Sequence, residues 1–285
     1  MPARRRLTVL LVLLALAPAT AAASASSPAP STDAVRFAVK GDWGFGGRDQ
    51  AAVTARMCAE NARAPLAFVL TTGDNFYNPD GTATAANWTV PEACLIRAGV
   101  RWRAAWGNHD AAGDGTAKVL GTRRRWYTFA AGPARFVVLD TNDVDDPAQT
   151  AFLARTLAAA REPALIVAYH EPAYTAGLHP PGLHQQRAWV PLFRRGRVAL
   201  VLQGHNHLYE RFRVGGVTYV TTGGGGGPLY ACERRPPGLA RCRSEHHFLL
   251  VTATARAIEV RAERPDGSLI ERVEVPVPPR AAARR

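Results

Sequence analysis

The sequence predicts a layered α/β protein on three observations. Short, near-continuous apolar runs recur along the chain, stretches with apolar residues at helical spacing lie between them, and most of the runs end in a polar turn containing glycine. Strands that are apolar on both faces are buried on both faces, so a sheet enclosed by other layers is expected.

Taken in order, Val35 to Val39 precedes GDWG, Leu66 to Leu70 precedes GDNFY, and Val100 to Trp106 precedes GNHD. Between the first two lies an expected helix, Asp49 to Ala62, with an Ala-rich face and Met57. Phe136 to Leu139 ends at Asp140, and Ala148 to Arg161 places Phe152, Leu153 and Leu157 at helical spacing. Leu165 to Tyr169 then ends at His170, and Val198 to Leu202 runs into QGHNH. Val217 to Thr222 is a further strand that enters five consecutive glycines, Gly223 to Gly227. The pattern then changes to alternation: Ala257 to Glu263 and Leu269 to Val275 flank Pro265-Asp266-Gly267 as a hairpin. From Pro276 the Pro, Ala and Arg residues read as a frayed tail. No internal repeat or separating linker is present, so one domain over 35–275 is expected, between a flexible segment at 26–34 and a disordered basic tail at 276–285.

The first 25 residues stand apart. Arg4, Arg5 and Arg6 precede a short apolar stretch from Leu7 to Ala17 and then small residues, the order of a secretory signal peptide, with cleavage expected after Ala25. A retained anchor is the bland alternative, but the run falls short of the roughly 20 residues that cross a bilayer, and no later run approaches that length, so no membrane span is expected. The destination is then the periplasm or the extracellular space.

The 285 residues are 47% apolar, too apolar and too lightly charged for a disordered chain. The formal net charge of +12 names no partner, because the arginines are scattered and no nucleic-acid recognition motif accompanies them. Nucleic-acid recognition is therefore not expected, and a monomer is favoured. Four cysteines in an exported chain suggest two disulfides. Cys232 and Cys242 bracket a short Pro-rich loop and make the more plausible local pair, which leaves Cys58 with Cys94; sequence does not fix this connectivity.

The chemistry lies in the turns, which carry Asp42, Asp74, Tyr77, Asn108, His170, His205 and His207. A lone Asp-Gly pair is usually a turn, and a lone His after a strand is usually structural. The set differs because glycine flanks the polar residue in GDWG, GDNFY, GNHD and QGHNH, as expected where tight turns aim several side chains at one point.

These motifs, in this order, resemble the signature of the metallophosphoesterases, and more narrowly of the purple acid phosphatases. The discriminating features are Asp-x-Gly in the first motif and the Tyr three residues after Asp74; the small size is similar to the tartrate-resistant branch. The resemblance covers about Val35 to Gly227 and implies a four-layer αββα sandwich of two mixed sheets flanked by helices. It also implies that Asp42, Tyr77 and His207 hold Fe(III), that Asn108, His170 and His205 hold a second divalent metal (Fe, Zn or Mn), and that Asp74 bridges the two. Hard anionic oxygens suit a trivalent ion, and imidazoles with an amide oxygen suit a divalent one.

The implied reaction is hydrolysis of small phosphomonoesters by attack of a metal-bound hydroxide on phosphorus. Its implied acids are His109, directly after Asn108, and His179, nine residues after His170, with His184 as a substitute for the latter. Asp110 and Glu171 adjoin catalytic or ligand histidines and could orient their rings, with solvent-facing or backbone-capping roles as equal alternatives. A dimetal phosphodiesterase or nucleotidase on the same core is the nearest alternative, and a non-catalytic phosphate-binding protein a more distant one. Other features take plainer readings: Arg123 to Arg125 as a solvated strand approach, Asp140 as a structural hydrogen-bonding residue, and the glycine run as close backbone approach to the GHNH loop.

Overall fold

The structure, a computed structural model, describes residues 33–279. The expected signal peptide, most of 26–34 and the tail beyond Pro279 lie outside the described residues. Among the described residues there are thirteen strands in chain order: β1 (Ala34–Lys40), β2 (Val69–Thr71), β3 (Trp102–Ala104), β4 (Tyr127–Ala131), β5 (Ala134–Val138), β6 (Ala164–Ala168), β7 (Leu200–Gln203), β8 (Tyr209–Val214), β9 (Val217–Thr222), β10 (Leu239–Arg243), β11 (Phe248–Thr254), β12 (Ala257–Glu263) and β13 (Leu269–Pro276). They form a six-stranded sheet ordered β13-β12-β11-β1-β2-β3 and a seven-stranded sheet ordered β10-β8-β9-β7-β6-β5-β4. Both are mixed: β1, β2 and β3 run parallel, as do β5, β6, β7 and β9, and the outer strands are antiparallel.

Alternation along each central strand explains the continuous apolar runs. Phe37, Val39 and Leu70 of the first sheet pack against Phe136, Ile166 and Leu202 of the second, forming the core between the sheets. Phe37 anchors it, with ring centroids 4.9 Å from Phe68 and 5.2 Å from Phe136. The intervening residues face outward and are equally buried. Ala38, Val69 and Leu250 meet Val53 and Met57 of the helix Arg48–Arg63, while Val137, Val167 and Val201 meet Leu153 and Leu157 of the helix Pro147–Ala159, with Trp189 and Phe193. Helix, sheet, sheet, helix is the four-layer arrangement, and each buried large side chain contributes about 1.5–3 kcal/mol relative to exposure.

Two details bear on the active end. Lys40 closes β1 fully buried, its Nζ 2.6 Å from Glu92 and 4.2 Å from the Trp43 ring centroid, which fixes the turn that follows. Burial pushes the Lys40 pKa down, and Glu92 partly offsets that. The disulfides pair Cys58 with Cys94 and Cys232 with Cys242, with Cα separations of 6.2 and 6.1 Å. The frayed tail expected from Pro276 is corrected over its described part. Pro276 ends β13, the Val277 N–H donates to the Arg256 carbonyl at 2.9 Å, and Arg197 donates to the Pro279 carbonyl.

Candidate metal centre

Every residue of the expected ligand set lies just past the C-terminal end of a parallel strand, where the edges of the two sheets meet. Asp42 follows β1, Asp74 and Tyr77 follow β2, Asn108 follows β3, His170 follows β6, and His205 and His207 follow β7. Such an edge is where open α/β sheets place ligands. Four described non-glycine residues have positive φ, and three of them are Asp42 (58°), Asp74 (50°) and His205 (69°). Holding L-residues in the left-handed region costs about 1–3 kcal/mol each, a strain that concentrates at functional sites. Crowding is as tight. A Cβ on Gly107 would stand 2.1 Å from Asp74 Oδ1, and one on Gly73, itself at φ +96°, would stand 2.6 Å from His170 Nδ1.

The polar atoms converge in two groups that share one residue. In the first, Tyr77 Oη lies 2.9 Å from His207 Nε2, 3.0 Å from Asp74 Oδ2 and 3.3 Å from Asp42 Oδ1. His207 Nε2 is 3.5 Å from Asp42 Oδ1. In the second, His170 Nε2 lies 3.0 Å from Asn108 Oδ1, 3.2 Å from His205 Nδ1 and 3.4 Å from Asp74 Oδ2. Asp74, His170 and His205 place ligand atoms within 4.8 Å of one another. The donor types fit a pair of metal ions: carboxylates, a phenol, an amide oxygen and imidazoles, all at convergent range. Outside partners fix which ring nitrogens face inward, since His170 Nδ1 meets the Thr72 carbonyl at 2.9 Å and His207 Nδ1 meets the Pro228 carbonyl at 2.7 Å. Asp42 is gripped by the His205 N–H, 3.0 Å from both carboxylate oxygens, and Asp74 by the His109 N–H at 2.9 Å.

The electrostatics are those of crowded, buried donors. Burial opposes the charge on His170, yet the Asp74 carboxylate and its hydrogen bond hold the His170 pKa up at about 10. Burial likewise works against the Asp74 anion, and the His170 charge outweighs it, holding that carboxyl well below its ordinary range. Desolvation and the His170 charge push His205 down to about 3, which keeps its lone pair available. Burial and the Asp42 and Asp74 charges push the Tyr77 phenol well up, so a nearby cation is what would make it a phenolate.

Both expected acids flank this cluster. His109 leans over Tyr77 with ring centroids 4.4 Å apart and Nε2 4.0 Å from Asp74 Oδ2; His179 leans over His205 at 4.2 Å. His184 is exposed and pairs with Asp145 at 2.7 Å. Of the two roles open to Asp110, orienting a histidine ring or capping backbone, the contacts are those of the second. Buried Asp110 accepts from Asn75 N, Asn75 Nδ2, Gly107 N and Thr116 Oγ1 at 2.8 to 2.9 Å, so it joins the GDNFY and GNHD turns to each other. Glu171 uses its backbone N–H, donated to Thr141 Oγ1 at 3.2 Å, and its carboxylate makes no hydrogen bond or ion pair among the described residues.

Sequence reasoning missed two aromatic walls. Phe45 stacks on Tyr77 at 3.7 Å, and Tyr230 stacks on His207 at 4.2 Å while standing 5.4 Å from His179. Tyr230 is delivered by the glycine run, whose Gly225 and Gly227 N–H groups donate to the Gly41 and Asp42 carbonyls and whose Gly223 N–H donates to Leu208. Asp140, placed by sequence as a structural residue, accepts from Asn142 and pairs with Arg125 at 3.3 Å; Arg125 also covers the Trp106 ring.

Comparison with known proteins follows the same lines. A family model described as calcineurin-like phosphoesterase matches residues 35–209. Purple acid phosphatase 7 of Arabidopsis thaliana is 26% identical over 250 residues, covering 72% of this chain and 74% of that protein. Among solved structures, purple acid phosphatase PPD1 from yellow lupin seeds superposes with a TM-score of 0.71 at 18% identity, over 88% of this chain and 55% of its own, so this chain spans about half the lupin protein. GAP50, the anchor in the inner membrane complex of Plasmodium, superposes at 0.73 with 17% identity, over 87% of this chain and 90% of its own. At these identities the two structures are likenesses of fold.

Proposed function

Since the chain belongs to the calcineurin-like phosphoesterase family, we propose that it is an exported acid phosphatase that hydrolyses phosphomonoesters at a centre of two metal ions. The observation that carries this reading is the division of seven donors into two groups sharing Asp74. Asp42, Tyr77 and His207 are assigned to Fe(III), Asn108, His170 and His205 to a divalent iron, zinc or manganese, and Asp74 to both. Bound there, the two ions would supply Lewis acidity toward the ester and would make water a nucleophile at low pH.

The chain's own residues supply the rest. The Thr72 and Pro228 carbonyls hold the His170 and His207 rings with Nε2 turned inward. His109, over Tyr77, and His179, over His205, orient the phosphate and deliver a proton to the departing oxygen. Partial burial and His207 lower the His179 pKa, which makes it a ready proton donor whose charged form belongs to acidic solution. Phe45 and Tyr230 stack on Tyr77 and His207 and wall the site. Export is assigned on the N-terminal leader pattern and agrees with two disulfides.

The test compares p-nitrophenyl phosphate with bis(p-nitrophenyl) phosphate on metal-replete protein at pH 5 and pH 7.5. The reading expects the monoester to be the faster substrate, with more activity at pH 5. A much faster diester would replace it with a phosphodiesterase on the same core.

A further inference from the structure

The middle residue of GHNH lies between two expected metal ligands and faces the opposite way. Asn206 is completely buried. Its Oδ1 accepts from the His179 N–H at 2.9 Å, and its Nδ2 donates to Thr175 Oγ1 at 2.8 Å and to the His179 carbonyl at 3.4 Å. One amide therefore holds both backbone polar groups of His179 and the start of the strap that carries it. The strap is packed against the same amide, because a Cβ on Gly177 would stand 2.7 Å from Asn206 Oδ1. Thr175 is tied in turn, accepting from the Gly177 N–H at 3.0 Å. Nothing else from the metal-ligand turns grips the His179 backbone among the described residues. Arg234, which donates to the Gly177, Leu178 and His179 carbonyls, approaches from the loop closed by Cys232 and Cys242.

We infer that Asn206 is a positioning residue that sets His179 against the metal centre. The inference deepens the reading of His179 as a proton donor and rests on it. The two flanking histidines are committed to the ligand cluster, so the turn that aims them also aims Asn206, and through it the acid. Removing the amide leaves the His179 N–H and the Thr175 hydroxyl without this partner and lets the strap drift, while His205 and His207 keep their own anchors. A displacement of about 1 Å in a reacting group costs on the order of 100-fold in rate. The loss falls on the step that needs a proton.

The experiment measures kcat and KM of the metal-loaded protein for p-nitrophenyl phosphate, whose leaving group departs without help, and for an alkyl phosphate, whose leaving group requires protonation. The proteins are wild type, Asn206→Ala, Asn206→Asp, His179→Ala and the double variant Asn206→Ala/His179→Ala, each with its metal content determined. The inference expects Asn206→Ala to lose ~10- to 100-fold in kcat on the alkyl ester and a clearly smaller factor on the aryl ester, which shares only the need for phosphate orientation, at unchanged metal content. Asn206→Asp, which keeps an acceptor for the His179 N–H, should recover much of the alkyl rate. In the His179→Ala background the Asn206 change should add nothing, since coupled residues are not additive. Equal losses on both esters, loss of metal from Asn206→Ala, or full additivity with His179→Ala overturns the inference. If His179→Ala itself falls equally on both esters, the proton-donor reading fails and the inference falls with it.

Discussion

Replacing Glu210 with glutamine is expected to stabilise the protein at neutral pH and to change little near pH 4.5. Glu210 is fully buried in β8, behind the strap that carries His179. Its Oε2 accepts from the Ala176 N–H at 2.7 Å, and its Oε1 has no hydrogen-bond partner among the described residues. Burial, only partly offset by the Ala176 hydrogen bond and by nearby Thr175, Thr221 and Arg234, pushes its pKa from the ordinary 4.5 up to about 7. The folded state thus holds the proton more tightly than the unfolded one. Stability from this group is fully present below pH 4.5 and is lost as pH rises through 7. At about 1.36 kcal/mol per unit, the loss comes to roughly 3 kcal/mol. Glutamine keeps an acceptor for Ala176 and never ionises. Urea unfolding at pH 4.5 and pH 8 reads the difference between the two proteins, in which titrations common to both cancel. With a slope of a few kcal/mol per molar, the variant's midpoint should exceed wild type by ~1 M at pH 8 and by little at pH 4.5. An equal offset at both pH values, or a wild type that is the more stable at pH 8, would refute the reasoning.

Asp110→Ala should cost about 3 kcal/mol or more in urea unfolding, because buried donors from Asn75, Gly107 and Thr116 lose their acceptor. Asp110→Asn should cost less, since one oxygen still accepts. Gly107→Ala, whose Cβ would meet Asp74 Oδ1 and the Asp74 backbone nitrogen at 2.1 and 2.4 Å, should weaken metal binding by more than 10-fold in a metal titration while the far-UV circular dichroism stays native. The Thr222 hydroxyl meets buried His247 Nε2 at 3.1 Å and none of the seven donors, so Thr222→Val should leave metal content unchanged on elemental analysis.

The sequence shows the site more readily than it shows the supports of the site. Asp42, Asp74, Asn108 and His205 could be read because each follows an apolar run and is flanked by glycine, a local pattern with a local cause. Tyr230 could not, because it reaches His207 only through a loop whose path is set by contacts between the glycine run and Gly41, Asp42 and Leu208. Asn206 was hidden for the same reason: its partners Thr175 and His179 are about thirty residues away. Among the strands, β8 reads YERFRV, whose charges mask its burial, so no apolar run marks it although Tyr209 and Phe212 are core. The strand expected over Val100 to Trp106 shrinks to Trp102–Ala104 because β3 is the edge of its sheet and pairs on one side only. Asp110 looked like a neighbour of His109 in sequence, but the turn directs its carboxylate back toward Asn75 and Gly107.

The most direct test of the two-metal account is the visible absorption spectrum of the purified, metal-replete mature protein beside that of Tyr77→Phe. Tyr77 Oη stands within 3.3 Å of Asp42, Asp74 and His207, so a ferric ion held by this group would take the phenolate as a ligand. The account predicts a broad charge-transfer band that colours the wild type pink or purple and disappears in the variant. A colourless wild type containing two divalent metals would contradict it, leaving Tyr77 as a hydrogen-bonding neighbour and the protein as a phosphoesterase of different metal chemistry.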